Sequence, residues 1–217
     1  MKTICLLSPK GGSGKSTLSL HLAASAQAEG HAAAILDTDP QGTCSAWGRR
    51  RGEDSPIIVK DTNKANFKKR LKEFEASGIK IAVIDTPGMS AEEPMAAAAL
   101  SDLILIPSRP GQADLEVIPT AMRSLALIDR MIPYYVILSL SRASRGTLER
   151  DNFAIESLEQ MGYPPGASYG APTIHDRAAF DLAMRLGRSV GEVEPQGKAA
   201  LETLLLWRWV AVQLKVK

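Results

Sequence analysis

The chain has 217 residues, the size of one domain, and 45% of them are hydrophobic, so we expect a single domain with a full core over residues 1–217. Its 26 basic and 24 acidic residues leave a net charge of only +2, which excludes a global electrostatic argument for nucleic-acid binding. Cys5 and Cys44 lack the spacing of a zinc site or a disulfide framework, and no apolar run has the length of a membrane span.

The predicted elements alternate between short apolar runs and segments of helical periodicity. Strands are predicted at 2–8, 32–37, 79–85, 102–107 and 133–139. Helices are predicted at 15–29, 64–77, 91–100, 113–130 and 147–161. This alternation is typical of a mostly parallel, doubly wound α/β sheet with helices on both faces. The first strand begins so close to Met1 that no room remains for a signal peptide, and we expect a cytoplasmic location.

A glycine-rich segment, Ser-Pro-Lys-Gly-Gly-Ser-Gly-Lys-Ser-Thr at 8–17, lies between the first predicted strand and the first predicted helix. Because glycine has no β-carbon, the backbone of such a loop can wrap a phosphate with its N–H groups, and the positive end of the following helix adds to the attraction. Lys15 is expected to bridge the β- and γ-phosphates, Ser16 to bind Mg²⁺, and Thr17 to reach the α-phosphate. The predicted nucleotide contacts of this P-loop are Gly11, Gly12, Ser13, Gly14, Lys15, Ser16 and Thr17.

The loop departs from the general Walker A pattern at its first position, where Pro9 replaces a glycine, and it carries a second lysine, Lys10. In these residues the sequence resembles the ParA/MinD family of deviant-Walker P-loop ATPases, whose loop reads Lys-Gly-Gly-x-x-Gly-Lys-Ser/Thr or close to it. The resemblance implies ATP and Mg²⁺ as ligands and a homodimer in which Lys10 reaches the phosphates of the ATP held by the other subunit. The choice of ATP over GTP rests on this resemblance, and Arg142 is the candidate neighbour of the base.

Two acidic segments follow predicted strands. Asp37-Thr38-Asp39-Pro40-Gln41-Gly42 resembles the family's switch I, and a carboxylate at the end of a buried strand faces the ligand crevice of an open α/β sheet. We expect Asp39 to position the attacking water close to the metal, with Asp37 in support; a simple Asp-Pro turn is the alternative. The segment 81–88 has the Walker B pattern, so Asp85 is expected to hold Mg²⁺ and the residues after it to begin switch II.

Basic residues are clustered at 49–51, at 60–72 and again in the last third of the chain. Such clusters can bind phosphate backbones without reading base sequence. A solvated helix face is the simpler interpretation of Lys64 to Lys72. The small ParA proteins that this chain resembles place basic DNA contacts in their C-terminal part, which implies Arg177, Arg185 and Arg188 here.

The C-terminal segment 201–217 is rich in leucine, valine and tryptophan. Its apolar positions run around much of a helix, which favours a terminal helix packed onto the sheet. An interfacial membrane helix of the MinD type is the alternative.

These features together predict a ParA-type ATPase, similar to small ParA partition proteins that lack an N-terminal DNA-binding extension. The resemblance implies that ATP closes a sandwich dimer, that the dimer binds nonspecific DNA of the nucleoid, and that a ParB-like or cargo-adaptor protein stimulates hydrolysis. Plasmid or chromosome segregation and the positioning of another intracellular cargo are equally open. Slow intrinsic turnover is expected, since the motifs place no obvious arginine to act in cis. The alternatives are a MinD-like membrane regulator and an assembly or metabolic ATPase of the same fold.

Overall fold

The computed structural model describes residues 1–52, 55–88, 92–142, 147–161 and 171–216. Its strands are β1 (Lys2–Leu6), β2 (Ala33–Asp37), β3 (Ile57–Lys60), β4 (Ile81–Asp85), β5 (Leu103–Ser108), β6 (Tyr134–Arg142) and β7 (Ile174–Asp176). The described strands form one sheet in the order β3-β2-β4-β1-β5-β6-β7, and every neighbouring pair is parallel. The predicted fold class is therefore confirmed.

Helices connect and cover these strands. They are α1 (Lys15–Ala28), α2 (Thr43–Arg51), α3 (Phe67–Ala76), α4 (Glu93–Ala99), α5 (Gln112–Leu115), α6 (Ile118–Leu125), α7 (Thr147–Gln160), α8 (Ala178–Leu186), α9 (Val190–Val193) and α10 (Lys198–Leu214). The helix predicted at 113–130 is divided into α5 and α6, because Pro119 lies in the first turn of α6, where its missing N–H is tolerated. Residue 91, the predicted start of the fourth helix, lies outside the described residues.

Two apolar layers sandwich the sheet. Successive strand residues point to opposite faces, so Ile4 and Leu6 join a core with α1, α2, α8, α9 and α10, whereas Cys5 joins a core with α3 to α7. The central strands are buried along their length, as expected for a parallel sheet covered on both faces.

The C-terminal helix α10 packs against α1, with Leu206, Trp207 and Val210 fully buried. This position agrees with the predicted packing of a terminal helix. Among the residues that the structure describes, no helix combines the length and apolarity needed to cross a bilayer.

Candidate nucleotide-binding site

The residues of the predicted site meet at the carboxyl edge of the central strands. Parallel pairing aligns Leu6 of β1 with Asp85 of β4, and Asp37 of β2 with the same aspartate. The P-loop leaves β1 at this edge, which is the position of ligand crevices in open α/β sheets. Strand register, rather than sequence proximity, therefore brings the three predicted motifs together.

The glycines give the P-loop its path. Gly12 and Gly14 have φ values of 71° and 94°, in the left-handed region that a residue with a side chain rarely adopts. Gly14 directly precedes α1, so the free N–H groups of the first helical turn open toward the loop. This geometry forms an anion-binding cradle.

Lys15 lies at the base of the cradle, with 8% of its surface exposed. Burial lowers the pKa of its ammonium, and the carboxylates of Asp85 and Asp39 act in the opposite direction. Within the described part of the chain, no carboxylate forms an ion pair with Lys15. A buried cation with no direct counter-ion is well suited to receive a phosphate.

Asp85, the predicted metal residue, is completely buried behind the P-loop. Burial raises its pKa to about 6, the Ser16 hydroxyl lowers it, and the nearby Asp37 raises it. Ser19 donates a hydrogen bond of 3.0 Å to Oδ1, and the Cys44 thiol lies 3.3 Å from Oδ2. The carboxylate is thus held in one orientation by neutral donors.

The donor set fits Mg²⁺ better than a transition metal. In the described ranges there is no cluster of three or more His, Cys, Asp or Glu side chains that could hold a metal alone. Mg²⁺ is commonly held by one or two carboxylates with substrate phosphates and water. Ser16 and Asp85 can supply the protein ligands of such a site, with Asp39 at its rim.

Switch I is held in a defined turn. The Asp37 carboxylate accepts hydrogen bonds from the Ser45 backbone at 2.8 Å and from its hydroxyl at 2.6 Å. Asp39 is half-buried and accepts a bond of 2.9 Å from the Gln41 backbone. Lys60 of β3 donates to the Pro40 carbonyl at 2.8 Å, a role that its place in a basic cluster did not predict. Asp39 is therefore the switch carboxylate with partial access to the crevice.

Lys10, the second lysine of the loop, forms an ion pair with a carboxylate of a neighbouring segment. Its Nζ lies 3.0 Å from Oδ1 of Asp114 in α5, and its side chain is 44% exposed. The structure therefore places Lys10 on the outer rim of the site, apart from the buried Lys15.

The end of β6 closes the site opposite switch I. Ser139 donates to the carbonyl of Ser13, and Leu140 adopts φ 53° at an irregularity in the β6–β7 pairing. A left-handed leucine is strained, and such strain persists where the surroundings enforce it. Arg142, the predicted neighbour of the base, is exposed at the end of this strand.

The predicted DNA contacts differ in their environment. Arg177 is engaged by Glu202, with Nε 3.0 Å from Oε1, and His175 shares that carboxylate. Arg188 lies 3.7 Å from Glu192, whereas Arg185 is exposed on α8. Arg145, of the same late basic group, lies outside the described residues.

Packing of α2 against α8 brings the arginines of α2 close to Arg185 and Arg188. Their positions in the sequence did not predict this proximity. Arg50 of α2 donates to the Met184 carbonyl at 3.0 Å, and its neighbour Arg49 is exposed. The two arginine clusters, 49–51 and 185–188, therefore form one surface across α2 and α8.

Comparisons with known proteins agree with this architecture. Residues 4–196 match the family described as the CobQ/CobB/MinD/ParA nucleotide binding domain. Protein ParA of Rhizobium radiobacter is 24% identical over 207 residues, covering 92% of this chain and 90% of that protein. The maintenance of carboxysome distribution protein A of Gloeobacter kilaueensis is 27% identical over 215 residues, covering 98% and 94%. The structure of McdA from Cyanothece in an ATP complex superposes with a TM-score of 0.74 at 18% identity, covering 100% of this chain and 97% of that chain.

Proposed function

The chain belongs to the CobQ/CobB/MinD/ParA nucleotide-binding domain family and is a ParA/MinD-type ATPase, and we propose that it is an ATP-driven dimer switch that positions a cargo on DNA. In this cycle Mg²⁺-ATP closes a sandwich dimer, and the dimer binds DNA without sequence preference. A ParB-like or cargo-adaptor protein then stimulates hydrolysis and releases the dimer. Residues 1–217 act as one ATPase domain.

The observation that carries this proposal is the separation of the two P-loop lysines. Lys15 is buried under the phosphate cradle, whereas Lys10 lies at the rim with nearly half of its side chain exposed. The buried lysine is suited to bind the nucleotide of its own subunit, and we assign the exposed one to the nucleotide of a partner subunit. A simple nucleotide-binding protein has no need of the second.

The other site residues have distinct roles in the proposed hydrolysis. The loop N–H groups and Lys15 would bind the phosphates, and Ser16 with Asp85 would hold Mg²⁺, which would supply positive charge to stabilise the phosphoryl oxygens. Asp39 orients the attacking water from the switch I side. Its partial exposure and its turn, fixed by the bonds at Gln41 and Pro40, support this assignment.

The proposed DNA surface consists of Arg49 and Arg50 of α2, Arg185 of α8 and Arg188 in the turn that follows α8. Exposed arginines on one face bind phosphates by counterion release, which needs no base contact. Arg177 contributes less, because Glu202 already neutralises it. The likeness to a carboxysome distribution protein supports the positioning of a cargo, and the likeness to ParA supports DNA segregation. The proposal covers both functions.

A second candidate function, membrane association of the MinD type, is favoured by one feature of α10. Leu201, Leu205 and Val212 are exposed by 55%, 43% and 70%, and their spacing places them on one side of the helix. Apolar side chains on one exposed helix face can enter a lipid interface. The short stripe includes Arg208, which pairs with Glu29.

Binding to nonspecific duplex DNA tests the proposal. The purified protein is titrated with DNA in Mg²⁺-ATP, in Mg²⁺-ADP and without nucleotide, at moderate and at high salt. The DNA-anchored switch predicts binding in ATP alone, with loss at high salt. Absence of DNA binding in all three states, with binding to anionic liposomes in ATP, would favour the membrane candidate instead.

A further inference from the structure

The segment that follows β5 lies beside the P-loop. β5 pairs in parallel with β1, and Leu6 is aligned with Leu105, so the two strands deliver their following loops to the same edge. The ion pair between Lys10 and Asp114 joins these loops. We name residues 109–114 the β5 loop.

Arg109, the first residue of the β5 loop, lies beside Gly12 of the P-loop. One terminal nitrogen, Nη2, lies 3.6 Å from the position that a β-carbon on Gly12 would occupy. Gly12 and Arg109 are both exposed, so the guanidinium lies on the solvent side of the loop. A phosphate bound in the cradle would therefore lie within reach of this side chain.

The backbone that carries Arg109 is anchored. Ser108 is buried, and its hydroxyl lies 3.1 Å from the Arg109 carbonyl and 3.4 Å from the Asp114 carbonyl. The Asp114 N–H also bonds the Gly111 carbonyl at 2.9 Å. The guanidinium thus projects from a fixed turn, which lowers the conformational cost of binding a ligand.

The guanidinium of Arg109 is available for a phosphate contact. Among the described residues it forms no ion pair, in contrast to Lys10, which is held by Asp114, and to Arg70, which is held by Asp61. Because no carboxylate among the described residues pairs with Arg109, the N–H donors of its guanidinium remain available to a phosphate. Guanidinium donors match phosphoryl oxygens in a bidentate manner.

We propose that Arg109 binds the γ-phosphate of the ATP held by the same subunit. This inference rests on the proposed nucleotide site and adds a cation in cis that the sequence motifs did not reveal. In this proposal Lys15 contacts the phosphates from the first turn of α1, and Arg109 contacts them from the β5 loop. Since ADP lacks the γ-phosphate, Arg109 contributes to selectivity for ATP over ADP.

The test compares nucleotide affinities of wild type, Arg109→Ala, Arg109→Lys and Arg123→Ala, an exposed arginine of α6 that bonds Thr120. Calorimetric titrations use the non-hydrolysable analogue AMPPNP and ADP, each with Mg²⁺, at protein concentrations where sedimentation shows monomers. Arg109→Ala should bind AMPPNP about tenfold more weakly, the size of one charge-assisted hydrogen bond, with ADP affinity unchanged. Arg109→Lys should regain part of the loss, and Arg123→Ala should match wild type.

Three results would overturn the inference. Unchanged AMPPNP affinity in Arg109→Ala would leave Arg109 without a role at the γ-phosphate. Equal losses for AMPPNP and ADP would indicate an effect on the loop or on the shared phosphates. A loss seen only at concentrations where dimers form would place the contact across the interface. Failure of wild type to bind either nucleotide would instead contradict the proposed function itself.

Discussion

Lys10 Nζ lies 3.0 Å from the Asp114 carboxylate, so the lysine proposed to act on the partner's nucleotide forms an ion pair within its own subunit. Lys10 lies in the loop after β1 and Asp114 in α5, which follows the neighbouring strand β5. Lys10 must leave Asp114 before it can cross a dimer interface. In the proposed dimer we therefore expect the ion pair to oppose closure by a small amount.

Replacement of Asp114 by asparagine should favour the ATP-bound dimer. Each of the two subunits gives up one such pair when the dimer closes, and a partly exposed ion pair contributes up to about 1 kcal/mol, so the dimer dissociation constant should fall by no more than about thirtyfold. Sedimentation velocity in Mg²⁺-ATP measures this constant. The matched control is Glu116→Gln. It removes a nearby carboxylate that accepts a hydrogen bond from Gln112 and does not pair with Lys10. A weaker dimer in Asp114→Asn would show that Asp114 supports the closed state instead.

The pKa of Asp85 predicts an unusual pH dependence of stability. Burial raises this pKa to about 6, so the folded state binds a proton more readily than the unfolded state. Stability contributed by this group therefore falls as pH rises from about 4 to about 6, and the buried charge remains unfavourable at pH 7. Asp85→Asn should stabilise the nucleotide-free protein at pH 7 by up to about 3 kcal/mol while abolishing Mg²⁺-dependent hydrolysis.

Urea unfolding at pH 7 and near pH 4.5 measures this effect. The difference between Asp85→Asn and wild type should shrink at the lower pH, where the wild-type carboxyl is protonated. Asp181→Asn, an exposed carboxylate of α8, should show no comparable pH dependence. A difference that is equal at both pH values would show that ionisation of Asp85 is not its cause.

Asp39→Ala should separate dimerisation from hydrolysis. Loss of the proposed water-positioning carboxylate should reduce ATP turnover at least about tenfold, whereas the phosphate cradle and Lys10 remain. The variant should therefore accumulate as an ATP-bound dimer in size-exclusion chromatography. Wild-type turnover in Asp39→Ala would remove its catalytic assignment.

The arginines of the proposed DNA surface should respond unequally. Arg185→Ala removes an exposed cation, so it should weaken DNA binding and reduce the slope of log affinity against log salt by about 1. Arg177→Ala should leave that slope nearly unchanged and instead lower stability by about 1–2 kcal/mol, because the carboxylate of Glu202 loses a half-buried hydrogen-bond partner. Filter binding across a salt series, together with urea unfolding, distinguishes the two. The reverse pattern would place the DNA surface near Glu202.

Local motifs at strand ends made the central part of the site predictable. The P-loop, the Asp37–Gly42 turn and Asp85 each follow an apolar run, and the parallel sheet necessarily brings such ends to one edge. The outer strands were not predicted, because β3 has four residues with both ends exposed and β7 has three. Short edge strands carry little periodicity.

Contacts between distant loops could not be read from the sequence. Asp114 lies about a hundred residues after Lys10, and no local pattern marks it as a partner. The left-handed Leu140 carries no signal either, since glycine or asparagine is the usual residue at such φ values. The pairing of Arg177 with Glu202 likewise depends on where α10 packs, which a list of basic residues does not reveal.

ATP-dependent dimerisation of Lys10→Ala tests the central claim most directly. Sedimentation equilibrium is measured in Mg²⁺-ATP for wild type, Lys10→Ala, Lys15→Ala and Lys68→Ala, an exposed lysine of α3. The account predicts dimers for wild type and Lys68→Ala, nucleotide-bound monomers for Lys10→Ala, and monomers without nucleotide for Lys15→Ala. Normal ATP-dependent dimers in Lys10→Ala would contradict the role of this lysine across the interface, and with it the proposed switch.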